Sequence, residues 1–306
     1  IVVLWGWVAA LLLAEPLAGL ADQLAAFVAD RAALDLANPG SIEASLDRLA
    51  PEFIVNPAAY TAVDKAEDER DLAMRVNGEA PGALARWAKP RNVPLIHFST
   101  DYVYAGTGTA LWRESDSTGP LSAYGATKLA GEEAIRAAGG HFLIIRTSWV
   151  YAARGVNFLR TILRLSRERK ELRIVNDQIG APTSAPIIAE TVTKLMAGGA
   201  EAFAAQAREA GGLVHFAAAG ETSWHGFACA IVDGLKARGV PLAVEQVTPI
   251  PSEAFPTRAT RPRNSRLDLS RIRQVFGVSP PHWGDALDRE LDSLVTELRT
   301  GLQSKN

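Results

Sequence analysis

The chain alternates short, uninterrupted apolar runs with longer stretches of helical periodicity, and that rhythm limits the folds open to it. Residues 1–5 (IVVLW), 25–29 (AAFVA), 53–56 (FIVN), 94–98 (PLIHF) and 142–146 (FLIIR) read as strands. They lack polar alternation, so each needs cover on both faces, as strands of a parallel sheet have. Between them the spacing predicts helices over 41–49, 68–88 and 123–138, with Ser41 capping the first. Strand, helix, strand at this rhythm is an α/β pattern, a doubly wound parallel sheet. Past Val150 the rhythm breaks. A basic helix is expected over 158–169, a strand at 172–175, and a strand returning to the main sheet within 214–220. The last third has proline turns at Pro249, Pro251, Pro256, Pro262, Pro280 and Pro281. It reads as a smaller domain over the carboxyl ends of the strands, the edge where such sheets bind ligands.

At 306 residues the chain is long enough for two cores. A net charge of −2 gives no pull toward nucleic acid. Cys229 is the single cysteine, so no internal disulfide forms, which fits a reducing compartment. The five histidines show no metal-ligand spacing. The opening stretch, IVVLWGWVAALLLAEPL, carries no charge before Glu15. It is shorter than the roughly 20 apolar residues of a membrane helix. No basic residue precedes it, and Glu15-Pro16 stands where a signal peptide would place a small-residue cleavage site. The expectation is therefore no membrane segment, no secretion signal and a cytoplasmic location.

Chemistry concentrates near the fourth strand. HFSTDYVYAG (97–106) brings Ser99, Thr100 and Asp101 to its end. SAYGATKLAGEEA (122–134) follows, with Tyr124 and Lys128 at i and i+4, on one helix face. A free phenol, with a pKa near 10, is a poor proton shuttle at neutral pH. An ammonium beside it favours the phenolate and is expected to lower the Tyr124 pKa. Tyr124 can then protonate a carbonyl oxygen while Thr100 holds the same oxygen by a hydrogen bond.

Six stretches carry a resemblance: VNPAAYTAVDKAEDE (55–69), HFSTDYVYAGTG (97–108), GPLSAYGATKLAGEE (119–133), IIRTSWVYAARGVNF (144–158), VNDQIGAPTSA (175–185) and RPRNSRLD (261–268). In that order the chain resembles the extended short-chain dehydrogenase/reductase family over roughly residues 53–297. The resemblance implies a Rossmann-like dinucleotide-binding domain over residues 1–150, with returning segments within about 170–222. A smaller C-terminal substrate domain takes residues 151–170 and 223–306. It implies NADPH or NADH as cofactor and a nucleotide-sugar substrate, with no nucleic acid and no membrane as partner, and it leaves a homodimer open. The implied reaction reduces the C4 keto group of dTDP-4-dehydro-L-rhamnose to give dTDP-L-rhamnose. Tyr124 is then the proton donor, Lys128 its partner and ribose ligand, and Thr100 the carbonyl hydrogen-bond donor. Asp101, Tyr102 and Trp149 match positions around the deoxysugar. For Trp149 core packing competes with stacking on a sugar. Ala59, Tyr60 and Thr61 match a turn that touches the cofactor, and Asp35 and Leu36 its adenine side. Asn157 and Arg266 lie in stretches facing the nucleotide-sugar cleft, and an Arg suits a diphosphate. Asp30 closes the second strand, where an acid binds ribose hydroxyls of NADH, while Arg31 after it suits the 2′-phosphate of NADPH. A magnesium ion goes with glutamates at a dimer contact in some members; Ala14 and Pro186 stand at those places, so no such metal site is expected.

Relatives separate by chemistry. The nucleotide-sugar 4,6-dehydratases place an Asp-Glu pair after the Thr, whereas Thr100 is followed by Asp101 and Tyr102. Without the second acid, dehydration loses support and reduction gains it. Another nucleotide-sugar reductase or a 4-epimerase stays open. From a different class, the regulatory β subunit of methionine adenosyltransferase is similar to these reductases and acts as a partner-binding module. The intact Thr100, Tyr124, Lys128 and Trp149 argue against that role.

The opening stretch departs from the family. Its first strand should run into a turn with glycines at i, i+3 and i+6, and here those places hold Gly6, Ala9 and Leu12. Gly6, Ala9, Ala10 and Leu11 are the residues expected against the pyrophosphate. Overpacking of the kind Leu12 brings costs about 1–3 kcal/mol. Either the loop differs and holds the cofactor less tightly, or the first dozen residues depart from the natural chain. If the loop differs, the double variant Ala9→Gly/Leu12→Gly binds NADPH more tightly by titration calorimetry; equal dissociation constants defeat that reading.

Overall fold

In a computed structural model, which describes residues 2–4 and 27–303, the apolar runs form the strands of one parallel sheet. The loop candidates Gly6, Ala9, Ala10 and Leu11, with Leu12, lie outside the described residues. β1 (Val2–Leu4), β2 (Phe27–Ala29), β3 (Ile54–Asn56), β4 (Leu95–Thr100) and β5 (Phe142–Thr147) fall where the pattern placed them. Four shorter or more peripheral strands follow: β6 (Val150–Tyr151), β7 (Glu171–Val175), β8 (Ile179–Gly180) and β9 (Thr183–Ser184). β10 (Leu213–His215) then returns to the main sheet beside β5. The sheet is parallel, in the order β2-β1-β3-β4-β5-β10. Its order reverses at β1, which has β2 on one side and β3 on the other; ligands of doubly wound sheets bind at the carboxyl end of such a switch point.

Helices cover both faces. One core gathers Ile42, Leu46, Ile54, Leu84, Ile135 and Ile144, from α1 (Ile42–Leu49), α2 (residues 70–88), α3 (Ala123–Ala138) and the strands between them. The other packs Phe98, Ile145 and Val214 against Ile188 of α5 (Ala185–Met196) and Phe203 of α6 (Gly199–Glu209), helices the sequence pattern did not single out. A third core lies apart from the main sheet. It joins α4 (Phe158–Glu168), α7 (Trp224–Ala237) and the last helix, Trp283–Gln303, through Leu159, Ile162, Phe227, Ile231 and Leu291. β7 pairs there with a parallel partner, Gln246–Ile250. Among the described residues no helix is long and apolar enough to cross a membrane.

Ser41 does not cap α1; its hydroxyl instead donates to the Asn38 carbonyl at 2.9 Å. The backbone at Ser41 is already helical, so the side chain cannot reach back over the first turn as an extended cap does. α2 is interrupted by a π turn at Arg75–Glu79. Such turns are rare and aim a side chain off the regular helix path. Here the side chain is Asn77, which is buried. Its Oδ1 accepts from the Tyr60 N–H at 2.8 Å, and its Nδ2 donates to the Tyr60 carbonyl and the Thr127 hydroxyl, each at 3.1 Å. One side chain thus clamps the turn after β3 to α3. α3 comes so close that a Cβ on Gly131 would lie 2.1 Å from the Asn77 carbonyl oxygen. Gly131→Ala is therefore expected to destabilise the fold by about 1–3 kcal/mol in urea unfolding, where an ordinary helix Gly→Ala change stabilises.

Candidate active site

Local chemistry fixes where α3 starts. Ser122 is extended, and its Oγ accepts from the Gly125 N–H at 3.2 Å, so Tyr124 falls in the first turn and Lys128 one turn on. Glu67 adds a second restraint, accepting from the Ala123 N–H at 2.7 Å. Gly125 lets the helix touch the end of β4, since a Cβ there would lie 2.3 Å from the Tyr102 carbonyl oxygen. The Tyr102 and Tyr124 rings then meet edge to face with centroids 5.5 Å apart. Thr100 turns the chain after β4: its Oγ1 accepts from the Tyr102 N–H at 3.2 Å and donates to Asp101 Oδ1 at 3.1 Å.

Thr100, Asp101, Tyr102 and Tyr124 are thus gathered at one strand end. Burial pushes the Tyr124 phenol above its ordinary range, the negative charge of Asp101 pushes further, and the Thr100 hydroxyl partly offsets both. The lowering expected from Lys128 is not what the geometry gives. The Lys128 ammonium reaches β4 instead, donating to the Phe98 carbonyl at 2.6 Å with His97 Nε2 at 3.3 Å. A raised phenol keeps its proton through neutral pH, as a proton donor requires. Burial lowers Lys128 to about 8, with Glu132 pulling it back up. Burial raises Asp101 to about 6 against the nearby hydroxyls of Ser265 and Thr100, and its Oδ2 has no hydrogen-bond partner.

Trp149 adopts φ +51°, the left-handed region that a bulky side chain rarely enters. It stacks on Trp224 at 3.7 Å and presses against Gly180, where a Cβ would lie 2.8 Å from its ring. One ring face is therefore covered by protein. Asn157 caps α4: Oδ1 accepts from the Arg160 N–H, and Nδ2 donates to the Ala152 and Arg154 carbonyls. Both ends of its amide are committed within its own chain segment. Arg266 donates to Glu221 at 2.7 Å and lines a separate recess with Gly220 and Leu267.

Toward the switch point, Asp30 directly follows β2, its Oδ1 accepting from the Ala33 N–H. Arg31 is exposed and pairs with Asp35 at 3.3 Å, while Leu36 is buried. Ala59 and Tyr60 are half-buried in the turn held by Asn77, and Thr61 beside them is exposed. A carboxylate, a guanidinium, a turn of small residues and a buried ammonium along one parallel-sheet edge form a donor set that fits a nicotinamide dinucleotide.

A cleft of about 680 Å³ opens from Tyr102 into the third core's territory. Phe158 and Trp224 line it, with Arg169, Arg173, Arg261 and Arg263, and Glu253 is the one acid on its wall. Four guanidiniums about one cleft suit a multiply charged anion. Arg261 is held by Asp64 at 2.8 Å, Arg258 by Asp68, and the Ala259 N–H by Asp64 at 3.1 Å, so the outer wall is tied across to the segment after β3. Sequence reasoning took Arg266 from RPRNSRLD and passed over Arg261 and Arg263 in the same stretch. Nothing in the sequence marked Trp224, while Arg169 belonged to a helix noted only as basic.

A family model described as RmlD substrate binding domain matches residues 11–296. The chain belongs to the RmlD substrate-binding family. Among its relatives, the dTDP-4-dehydrorhamnose reductase of Burkholderia thailandensis is 47% identical over 251 residues, 81% of this chain and 84% of that one. That of Shigella flexneri is 42% identical over 262 residues, 86% of each chain. A crystal structure of dTDP-4-dehydrorhamnose reductase from Bacillus anthracis, in complex with NADP, superposes with TM-score 0.83 at 29% identity, covering 95% of this chain and 98% of that one. DesIV of Streptomyces venezuelae, a dTDP-glucose 4,6-dehydratase, shares the fold alone, with TM-score 0.70 and 19% identity over 95% of each chain. This RmlD-family chain has a parallel Rossmann-like sheet, as its structural neighbours do.

The buried carboxylate of Asp101 makes a stability prediction. Its folded pKa, about 6, lies above the ordinary 3.8, so its contribution is favourable below pH 4 and is lost as pH rises through 6. Asp101→Asn removes that titration. Relative to the parent it gains about 2–3 kcal/mol between pH 4 and pH 8 in chemical unfolding. A pH-independent difference defeats the reading.

Proposed function

We propose that this chain is an NAD(P)H-dependent oxidoreductase, a dTDP-4-dehydrorhamnose reductase that converts dTDP-4-dehydro-L-rhamnose to dTDP-L-rhamnose. The observation that carries the reading is the meeting of the Thr100 hydroxyl and the Tyr124 phenol, its proton secured by burial, beside Tyr102, which lines an arginine-bearing cleft. The relatives named above support the substrate.

NADPH or NADH, when bound, supplies a hydride to C4 of the sugar. Asp30, Arg31, Ala59, Tyr60, Thr61 and Lys128 are the described residues that would hold it. Thr100, its hydroxyl turned from Asp101 Oδ1, donates a hydrogen bond to the C4 oxygen and Tyr124 gives that oxygen its proton, leaving an alcohol and a phenolate. Phenol donation and oxygen stabilisation act on one atom, so each needs the other's geometry. Asp101 and Tyr102 line the sugar's place, and Tyr102 also begins the cleft. Beyond it, Arg169, Arg173, Arg261 and Arg263 match the charge of a nucleoside diphosphate, which their planar forks bind two oxygens at a time. The absence of an acid at Tyr102 suits reduction without elimination. A cytoplasmic setting goes with the reading, and the free thiol of Cys229 supports a reducing compartment.

Reduction is followed by loss of the reduced cofactor's absorbance on dTDP-4-dehydro-L-rhamnose made by the upstream sugar enzymes. Tyr124→Phe is expected to lower kcat by about 10²–10⁴-fold with little change in KM, since the lost proton is needed only in the transition state. An unchanged rate in that variant sinks the assignment.

A further inference from the structure

β4 carries a buried histidine that the proton transfer does not use. His97 is 1% exposed and lies between Asn56 on β3 and Lys128 on α3. Its Nε2 is 3.3 Å from Lys128 Nζ, and its Nδ1 is 3.0 Å from the Asn56 amide. An ammonium has only N–H bonds to give, so Nε2 must accept. The ring proton is then on Nδ1, and the Asn56 atom facing it must also accept. A half-turn of an amide exchanges its nitrogen and oxygen without changing its shape. With Asn56 Oδ1, otherwise buried without a partner, turned toward Nδ1–H, every ring contact is satisfied. The opposite tautomer would set an N–H against an N–H unless Lys128 were neutral.

We propose that His97, held in one tautomer by Asn56, is a positioning residue that seats the Lys128 ammonium on the floor of the site. With the Phe98 carbonyl it takes two of the three N–H bonds of Lys128, leaving one free. Of the other charged groups, Glu132 on its own helix acts on Lys128 and is itself paired with Arg146 of β5, while Tyr124, one turn earlier on that helix, faces the charge of Asp101. Among the described hydrogen bonds, the acceptors facing the Lys128 ammonium are the Phe98 carbonyl and His97 Nε2. His97 stays neutral through the working range, because burial and the charge of Lys128 both lower its pKa. It therefore accepts without adding a second positive charge.

The test reads Lys128 in the protein without cofactor, and rests on the reductase reading only for a second measurement. The 13Cε resonances of labelled lysine are titrated, and that of Lys128 is assigned with Lys128→Arg. In the parent Lys128 titrates near 8. His97→Leu removes the acceptor, and the midpoint is expected to fall by about one unit. His97→Gln, which retains an acceptor, is expected to stay within a few tenths of a unit. If His97→Leu does not fold, Asn56→Leu, which keeps the ring but frees its tautomer, shifts the midpoint downward by a smaller step. A midpoint unmoved in the folded Leu variant overturns the proposal and leaves His97 as packing alone. In turnover the alkaline limb of the kcat–pH profile moves with the lysine midpoint in each variant; a shifted lysine with no turnover even in the parent would sink the reductase reading and leave this one standing.

Discussion

Glu132 is a carboxylate with no water to turn to. It is fully buried in α3, and burial alone would push its pKa up; the hydrogen bonds and charge of Arg146 outweigh that and hold it down. Arg146 Nε meets Oε1 at 2.8 Å and its terminal nitrogen meets Oε2 at 2.6 Å, a two-pronged pair. Such a pair contributes little net stability once desolvation is counted. Its value is geometric. Ser99 on β4 also donates to Oε1, and a second Arg146 nitrogen donates to the Tyr104 hydroxyl, which meets His215 of β10 at 2.7 Å. Helix and three strands are therefore tied at one point. Lys128 and Tyr124 lie one and two turns upstream of that tie, so their height over the strand end is set by it.

The site built on this frame is dry, and dryness sorts its groups. Away from water the charged form of every acid and base is disfavoured. Tyr124 keeps its proton, Asp101 holds one into mildly acidic pH, and Lys128 comes down toward neutrality. The outer cleft is the reverse: Arg261 and Arg263 are partly exposed, and their partners, Asp64 and Glu253, are surface acids. Exposed pairs of this sort are worth at most about 1 kcal/mol each. A largely buried cluster of titratable groups and a wet, cationic cleft meet at Tyr102 within one chain.

The main sheet was legible because its signal is local. Five apolar runs announce five strands, and β4 with α3 carried nearly all of the recognisable chemistry, from Thr100 to Lys128. What stayed hidden depends on distance. The spacing of Tyr124 and Lys128 showed that both share a helix face, yet the direction of the Lys128 ammonium depends on Phe98 and His97, which no helical period reveals. Arg266 drew attention because it is an arginine in a matching stretch, and no local pattern shows its pairing with Glu221. Asn157 looked like a ligand donor and is a helix cap, a role that its place just before the apolar pattern of α4 already suited. Trp224 and Asn77 act through contacts more than fifty residues away in sequence or through a π turn, neither of which composition or periodicity encodes.

Trp149 carries a consequence for how this surface can change over time. Its backbone sits where glycine is at ease and tryptophan is strained, a burden of about 1–3 kcal/mol for such residues. Glycine would relax the chain and strip Trp224 of its stacking partner; a smaller L-residue would keep the strain and lose the ring as well. Every one-step departure gives something up, so the position is a dead end for gradual drift. A descendant with a differently shaped surface here reaches it by altering residues 149, 180 and 224 together.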